Sequence, residues 1–243
     1  MSSFSIIIPV LNESSIINQT IEHIYGICSG FNVEVIVVDG DPEGGTISSI
    51  KKKEVITLLS PVGRGKQMNK GASVACGDIL LFLHTDTELP ENAFRLSSSQ
   101  MGKEKYVGGA FDLGIQSDRF VFRLIENMVY IRSRLTRIPY GDQAIFIKKD
   151  CFKKMNGYKA IPIMEDVELM KRIKRMGHKI AIIPQKVKTS PRRWEKEGVL
   201  YCTLRNWLLI GLYFLGCNPQ KLVRFYYREW EDRGTAKTEE ASP

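Results

Sequence analysis

The sequence predicts an α/β protein built on a mainly parallel sheet flanked by helices, and three observations carry that expectation. Short apolar runs of strand length alternate with stretches of helical spacing. The intervals between runs are long enough for the helical crossovers that parallel strands require. Carboxylates stand where several runs end, and the carboxyl ends of parallel strands are where open sheets collect ligands. With 243 residues, 43% apolar and 26% charged, the chain can bury one sizeable core.

The first run, Phe4-Ser5-Ile6-Ile7-Ile8-Pro9-Val10, is a β-branched strand that stops near its proline. Asn12-Glu13-Ser14-Ser15 supplies capping residues for a helix carrying Ile16, Ile17, Thr20, Ile21 and Ile24 on one side. Residues 33–38 form a second strand, and Asp39-Gly40-Asp41-Pro42-Glu43-Gly44-Gly45-Thr46 is a loop. Residues 55–59 form a third strand, residues 63–77 are largely helical, and residues 79–84 form a fourth strand ending at Asp86. Beyond Pro90 the rhythm changes. Residues 107–113 and 143–148 are strands separated by a helix over residues 120–134. A short helix at 150–155 is closed by Asn156-Gly157, and a longer one at 166–176 is closed by Gly177. Residues 180–184 return to strand.

Charge and cysteine usage narrow the function classes. The surplus of 35 basic over 27 acidic residues, +8 in net charge, favours an anionic partner such as a nucleotide or a membrane surface. No basic face interleaved with aromatics appears, so nucleic acid is not expected. Five widely spaced cysteines with no C-x-x-C suggest neither a zinc site nor a disulfide framework and point to a reducing cytoplasm. The opening residues lack the basic and apolar regions of a secretory signal.

From Ser190 onward the chain turns basic and aromatic, then apolar. The apolar stretch 199–217 is interrupted by Arg205 and Asn206, leaving a clean run too short to span a bilayer. Leu200, Leu204, Trp207, Leu208, Gly211, Leu212 and Leu215 fall near helical spacing, with Arg192, Arg193, Lys196, Lys221, Arg224 and Arg228 around them. Such an element can lie in an anionic bilayer interface, pack on the rest of the chain or join a homodimer; the sequence leaves all three open. The organisation expected is a main domain over 1–190, a basic and apolar helical appendage over 191–230, and a disordered polar tail over 231–243.

Four segments carry chemistry. Asp39 and Asp41, at the end of the second strand, can accept hydrogen bonds from a nucleobase imide or a ribose hydroxyl, and an Asp-Gly turn in solvent would look the same. Gly63-Arg64-Gly65-Lys66-Gln67-Met68-Asn69-Lys70-Gly71 suits a phosphate or ribose contact at a helix start, although its spacing is not that of a P-loop. His84-Thr85-Asp86 closes the fourth strand. One or two carboxylates suffice for a hard cation when a diphosphate supplies the other oxygens, and His84 suits Mn²⁺ better than Mg²⁺. Glu165-Asp166 opens a helix, where acids can be mere caps or can act as a general base. A metal-held leaving group and a general base together are what a nucleotide-sugar transferase needs.

In their order, these motifs resemble family-2 glycosyltransferases of the GT-A fold, over residues 4–194. The resemblance rests on Ile8-Pro9-Val10-Leu11-Asn12-Glu13, Val37-Val38-Asp39-Gly40-Asp41, Leu83-His84-Thr85-Asp86, Gly141-Asp142-Gln143, Gly157-Tyr158 and Glu165-Asp166-Val167-Glu168-Leu169. It implies a donor site at Pro9, Asn12, Glu13, Asp39, Asp41, Arg64, Gln67, His84, Thr85 and Asp86. It further implies Mn²⁺ or Mg²⁺ at Asp86, and Asp166 as the base of an inverting transfer to an acceptor hydroxyl. Arg192-Arg193-Trp194 looks like a variant of the family's R-W motif, which places Arg193 and Trp194 near the diphosphate. His84 stands where the family usually has the first aspartate of D-x-D, as in a small bacterial subgroup. A nucleotidyltransferase would want a basic, glycine-rich loop after the first strand, which Asn12-Glu13-Ser14 is not. A non-catalytic nucleotide-binding or membrane-docking module would have no need of Asp86 and Asp166 together. The resemblance implies a cytoplasmic enzyme, able to sit at the inner face of the cell membrane where the acceptor is lipid-linked or otherwise apolar.

Overall fold

The computed structural model describes residues 2–226. The chain runs β1 (Ser3–Val10), α1 (Ile17–Ile27), β2 (Asn32–Asp39), β3 (Ile56–Leu59), α2 (Arg64–Val74), β4 (Ile79–Phe82), β5 (Thr87–Glu88), α3 (Ala93–Met101) and β6 (Tyr106–Ile115). It continues with α4 (Phe120–Thr136), β7 (Phe146–Lys148), α5 (Lys149–Lys154), α6 (Glu165–Arg175), β8 (Lys179–Thr189), α7 (Arg192–Glu197) and α8 (Val199–Phe214). Two compact units result: one holds the residues up to Ala160 with Glu165–Pro191, the other Ile161–Met164 with the described residues from Arg192.

All eight strands of the described residues belong to one sheet of the first unit, in the order β3-β2-β1-β4-β7-β6-β8-β5. Pairing is parallel between β1 and β2, β1 and β4, β2 and β3, and β6 and β8. The mainly parallel α/β expectation therefore holds. Because β2 lies on one side of β1 and β4 on the other, the winding reverses at β1, which leaves a crevice beyond the carboxyl ends of these strands. Strand β7 runs antiparallel to both β4 and β6, so it begins at the edge where β4 ends. That reversal delivers the turn before β7 to the crevice.

Side-chain alternation builds the two faces. Ile6, Ile8, Val35, Val37 and Leu81 point to one side and pack with Ile17, Ile21 and Ile24 of α1 and with Phe94 of α3. Ile7 and Val38 point to the other, toward Gly71 of α2. Strand β1 is apolar on both faces because helices cover both.

Several boundaries depart from the sequence expectation. No side chain caps α1; the amides of Ile16 and Ile17 turn back to the Glu13 carbonyl, and Asn12 takes a left-handed φ of 57°. Strand β8 does not stop at Pro184. Phe111 pairs with Ile183 and the next residue, Asp112, with Lys186, so Pro184 and Gln185 bulge out and the missing amide breaks no ladder. Strand β7 starts late because Gly141–Gln143 forms a 3-10 turn. Gly177 closes α6 with a φ of 76°, as expected.

In the second unit Ile163, Leu209 and Leu222 form a small core joined by Leu212 and Tyr213. Leu212 thus turns inward, whereas Leu200, Leu204, Trp207, Leu208 and Leu215 are exposed. No helix among the described residues is long and apolar enough to cross a membrane. Arg228 and the tail expected over 231–243 lie outside the described residues.

A Cβ on Gly71 would sit 2.6 Å from Ile7 Cγ2 and 3.2 Å from Val38 Cγ2. Gly71→Ala should therefore lower stability by about 1–3 kcal/mol through overpacking. Gly26→Ala, with nothing within 4 Å of the added carbon, should not. Urea midpoints compare them, and equal midpoints would mean that α2 is free to retreat from the sheet.

Candidate active site

The loop after β2 is organised by its own acids. Asp39 is wholly buried; its Oδ1 accepts the Asp41 amide at 2.9 Å, and its Oδ2 accepts those of Thr46 at 2.9 Å and Ile47 at 3.2 Å. Asp41, half-buried, accepts the amides of Glu43 and Gly45. The Glu13 amide donates to Thr46 Oγ1 at 3.1 Å, tying the loop after β1 to the loop after β2. Gln67 reaches from α2 with its Nε2 to the carbonyls of Val10 at 2.8 Å and Val38 at 2.9 Å, clipping the two strand ends together. Asp39 and the amide nitrogen of Gln67, both expected at the donor, also hold the loops of this edge together. Pro9, Asn12 and Asp41 lie at the same carboxyl edge.

Beyond β4 the chain turns sharply, the Thr87 amide donating to the His84 carbonyl. Thr85 is buried, and its carbonyl accepts Thr20 Oγ1 at 2.6 Å. The imidazole of His84 is held down to about 3, by burial first and then by the charge of Arg64 at the start of α2. It is neutral at physiological pH, so one ring nitrogen keeps a lone pair.

Opposite stands the turn Gly141–Gln143. Gln143 is its anchor: fully buried, it accepts from Arg132 Nη2 at 2.7 Å, Ser133 Oγ at 3.1 Å and the Tyr140 amide at 3.1 Å, and donates to the Phe111 carbonyl at 2.9 Å. So fixed, the turn aims the Gly141 amide at Asp166 Oδ2, 2.7 Å away. A Cβ on Gly141 would lie 3.0 Å from His84 Nε2 and 3.6 Å from Asp166 Oδ2. His84, Gly141 and Asp166, from three separate elements, converge on one spot.

Helix α6 contributes the acids. Asp166 Oδ1 accepts the Val167 amide at 2.7 Å, so each oxygen of its carboxylate is oriented by one backbone donor and keeps lone-pair capacity for another proton. Glu165 is buried beside it; burial first, then the Asp166 charge, push its carboxyl up to about 7, against the pull of Arg64. Glu168 points away and pairs with Arg172 at 2.8 Å and Lys159 at 3.0 Å. Asn69 both donates to and accepts from the backbone of Tyr158, at 2.8 Å each, docking α2 on the Gly157-Tyr158 loop.

Sequence reasoning passed over Asp142. Its Oδ1 is shut off from solvent without a hydrogen-bond partner. Burial pushes its carboxyl up to about 6, with Asp166 and Asp86 raising it further and Arg132 and Arg64 opposing. The signal was present as Gly141-Asp142-Gln143, but nothing local separates it from an ordinary turn. Asp86 and Arg64 belong to the same cluster, since the charge of each is felt at Asp142. Arg193 and Trp194 belong to the second unit, where Arg193 pairs with Glu197 at 3.3 Å and stacks 4.3 Å from the Tyr226 ring centroid.

The sequence profile described as Glycosyl transferase family 2 matches residues 5–160. The chain belongs to that family. Among solved structures this family-2 protein resembles the mannosyltransferase PcManGT from Pyrobaculum calidifontis, in complex with GDP-Man and Mn²⁺. The identity is 17%, over 78% of this chain and 56% of that one, with a TM-score of 0.61. It also resembles S. aureus TarS, at 16% identity over 78% of this chain and 61% of that one, TM-score 0.57. A third is glucosyl-3-phosphoglycerate synthase from Mycobacterium tuberculosis in complex with Mn²⁺, UDP and phosphoglyceric acid, at 16% identity over 78% and 69% of the two chains, TM-score 0.54. At such identities the likeness is one of fold, that of the GT-A glycosyltransferases. The chain spans 56% and 61% of the length of the first two. No curated protein matches it.

The family implies a divalent cation. Among the described residues no three His, Cys, Asp or Glu side chains are grouped to hold an ion by themselves. Neutral His84 and Asp86 nonetheless fit a cation whose remaining ligands are phosphate oxygens, and the orphaned Asp142 Oδ1 in the same cluster is a further oxygen without a proton donor.

The raised carboxyls have a measurable consequence. A carboxyl whose folded pKa exceeds its unfolded value contributes stability below the unfolded value and loses it as pH rises through the folded one. For Glu165 that window runs from the ordinary 4.5 to about 7. His84, depressed, acts in the opposite sense: the unfolded chain takes up its proton first as pH falls. Glu165→Gln should therefore raise the melting temperature more at pH 8 than at pH 5, relative to the parent protein without ligand. Comparing variant with parent cancels the His84 contribution. A difference that does not change with pH would place the Glu165 carboxyl in the ordinary range.

Proposed function

We propose that the chain is an inverting glycosyltransferase that moves a sugar from a nucleotide-diphosphate donor to an acceptor hydroxyl. The observation that carries the reading is the Asp166 carboxylate, held by the Gly141 amide at 2.7 Å next to His84 at the carboxyl edge of a family-2 fold. Asp166 takes the acceptor proton as the hydroxyl oxygen bonds to the anomeric carbon, and the bond from that carbon to the diphosphate breaks. Asp86 and His84 would hold Mn²⁺ or Mg²⁺ together with the diphosphate. When bound, the cation supplies electrostatic stabilisation of the departing phosphate. Arg64 adds a fixed positive charge at the same spot. Pro9, Asn12, Glu13, Asp39, Asp41, Gln67 and Thr85 form the nucleotide side of the site, on loops that Asp39, Thr46 and Gln67 also keep in register.

The finer features form part of the same reading. The transferase domain covers residues 1–190, and residues 191–230 form the basic, apolar appendage. Arg193 and Trp194 serve the diphosphate and acceptor. His84-Thr85-Asp86 marks a small bacterial subgroup. The appendage meets a membrane at the cytoplasmic face, so the acceptor is lipid-linked or otherwise apolar. Mn²⁺, GDP-Man and UDP in the complexes of the structural relatives support a nucleotide-sugar donor with a divalent cation.

Thermal-shift titration with UDP-, GDP- and dTDP-sugars, with and without Mn²⁺, tests the donor, since a ligand that binds the folded state raises its apparent stability. No shift with any of them would remove the reading. Asp166→Asn should keep the shift while turnover falls by about 10²–10⁴; unchanged turnover at saturating acceptor would take the base role from Asp166. Asp86→Ala should weaken donor binding only when divalent cation is present, and an equal loss in EDTA would mean that Asp86 acts structurally.

A further inference from the structure

Helix α4 is apolar on the side it turns to water as well as on the side it buries, where Phe122 and Ile125 pack. A surface helix ordinarily turns its apolar stripe to the core and its charges to water. Here Phe120, Leu124, Met128, Ile131 and Leu135 recur at helical spacing along the exposed side, with Phe120 74% and Leu135 80% accessible. The charged residues are drawn inward beside Phe122 and Ile125. Glu126, the only acid of the helix, is buried; it accepts the Ile115 amide at 2.7 Å and pairs with Lys186 at 2.7 Å. Arg134 reaches Asp112 with two bonds of 2.7 and 2.9 Å, and Arg132 is held by Gln143. Every charge that could have wetted the outer face is drawn into the unit. An apolar stripe of this length on a soluble surface calls for an occupant.

The charges around the stripe indicate which. Arg137, just past the helix, is exposed, and Lys174 donates to the Thr136 carbonyl at 2.7 Å, which brings the basic last turn of α6, with exposed Arg175, beside the carboxyl end of α4. No carboxylate lies on the stripe itself. We propose that α4 docks flat on an anionic lipid bilayer, its stripe sunk at the headgroup boundary and Arg137, Lys174 and Arg175 among the headgroups. A second copy of the chain is the poorer occupant, because its identical stripe has no acid to meet those cations. At 17 residues the helix is about 25 Å long, enough for several side chains to be immersed together. This stripe belongs to the first unit, whereas α8 belongs to the second.

Position gives the docking a use. Strand β6 ends and β7 begins at the carboxyl edge of β4, so α4 leaves from and returns to the edge that holds the acids. From its end the chain passes through buried Ile138 and Pro139 to Gly141, whose amide orients Asp166. A docked α4 sets that edge next to the bilayer, where the accepting hydroxyl of an amphiphile would lie. This last step rests on the sugar-transfer reading; the docking does not.

The test is co-sedimentation of the full chain with phosphatidylcholine vesicles, with and without phosphatidylglycerol, at low and high salt. Binding should require the anionic lipid and weaken with salt. Replacing Leu124, Ile131 and Leu135 together by serine should lower partitioning by about tenfold or more with the melting temperature retained, since all three are exposed. A second variant, Lys174→Glu with Arg175→Glu, leaves the stripe whole and should lose binding to the anionic vesicles. No binding to either vesicle overturns the proposal. So does full binding by the triple variant with loss on replacing Leu200, Leu204 and Leu208, which would assign the membrane to α8. A dimer in light scattering that the triple variant splits, without vesicle binding, would assign the stripe to a second copy. The thermal shift with nucleotide sugars is read in parallel: its absence from the parent would sink the sugar-transfer reading while leaving the docking result standing.

Discussion

Like charges crowded at one edge of a sheet are the constraint around which the protein is arranged. Asp86, Asp142, Glu165 and Asp166 come from three separate stretches of chain, and Asp142 feels the charges of Asp86 and Asp166 as Glu165 feels that of Asp166. Such a cluster persists only if its members share protons or are offset by cations. Both solutions are visible: Asp142 and Glu165 are pushed toward neutrality, and Arg64 and Arg132 stand close enough to oppose the push. A diphosphate entering this cluster brings still more negative charge. A neutral His84, the Arg64 guanidinium and a divalent cation would each ease its entry in a different way.

Placing the cluster is the task of buried amides and acids that brace the strand ends. Gln143 fixes the turn that orients Asp166, Gln67 clips β1 to β2, and Asp39 gathers three amides of the following loop. Each sits where a strand has just ended and backbone groups would otherwise lack partners, a position at which one polar side chain can set the course of a loop. The chemistry is thus carried by one set of residues and its geometry by another.

The strands were legible in the sequence because they are buried on both faces, and unbroken runs such as Ile6-Ile7-Ile8 or Val35-Ile36-Val37-Val38 admit few other readings. The far half of β8 was not. Its Gln185, Lys186 and Lys188 alternate with buried residues at the rim of the sheet, and Pro184 looks like a terminator until the bulge is seen. The acids at 86 and 166 could be picked out as candidates because strand ends and helix starts are recognisable. That Asp39 is enclosed, Gln67 a clip and Asp142 an orphan depends on partners far along the chain, which no local pattern encodes. The exposed apolar stripe of α4 escaped for the opposite reason: its apolar period is that of any amphipathic helix, and only the packing tells which side faces in.

The reversed strand β7 has a consequence for how such a protein can diversify. Because β6 ends and β7 begins at the same edge, the segment between them is a detour that never has to cross the sheet. Its length and surface can change without altering the register of any strand, provided that Gln143 still anchors its return. The first half of the sheet and the loops at its carboxyl edge have no such freedom, since every connection there is a crossover tied to strand spacing. Substitutions confined to residues 116–140 would therefore retune where the molecule works and what it meets, while the half of the sheet around β1 stayed as it is. In that sense the fold separates an exchangeable part from a fixed frame, and a single strand running backwards is what makes the separation.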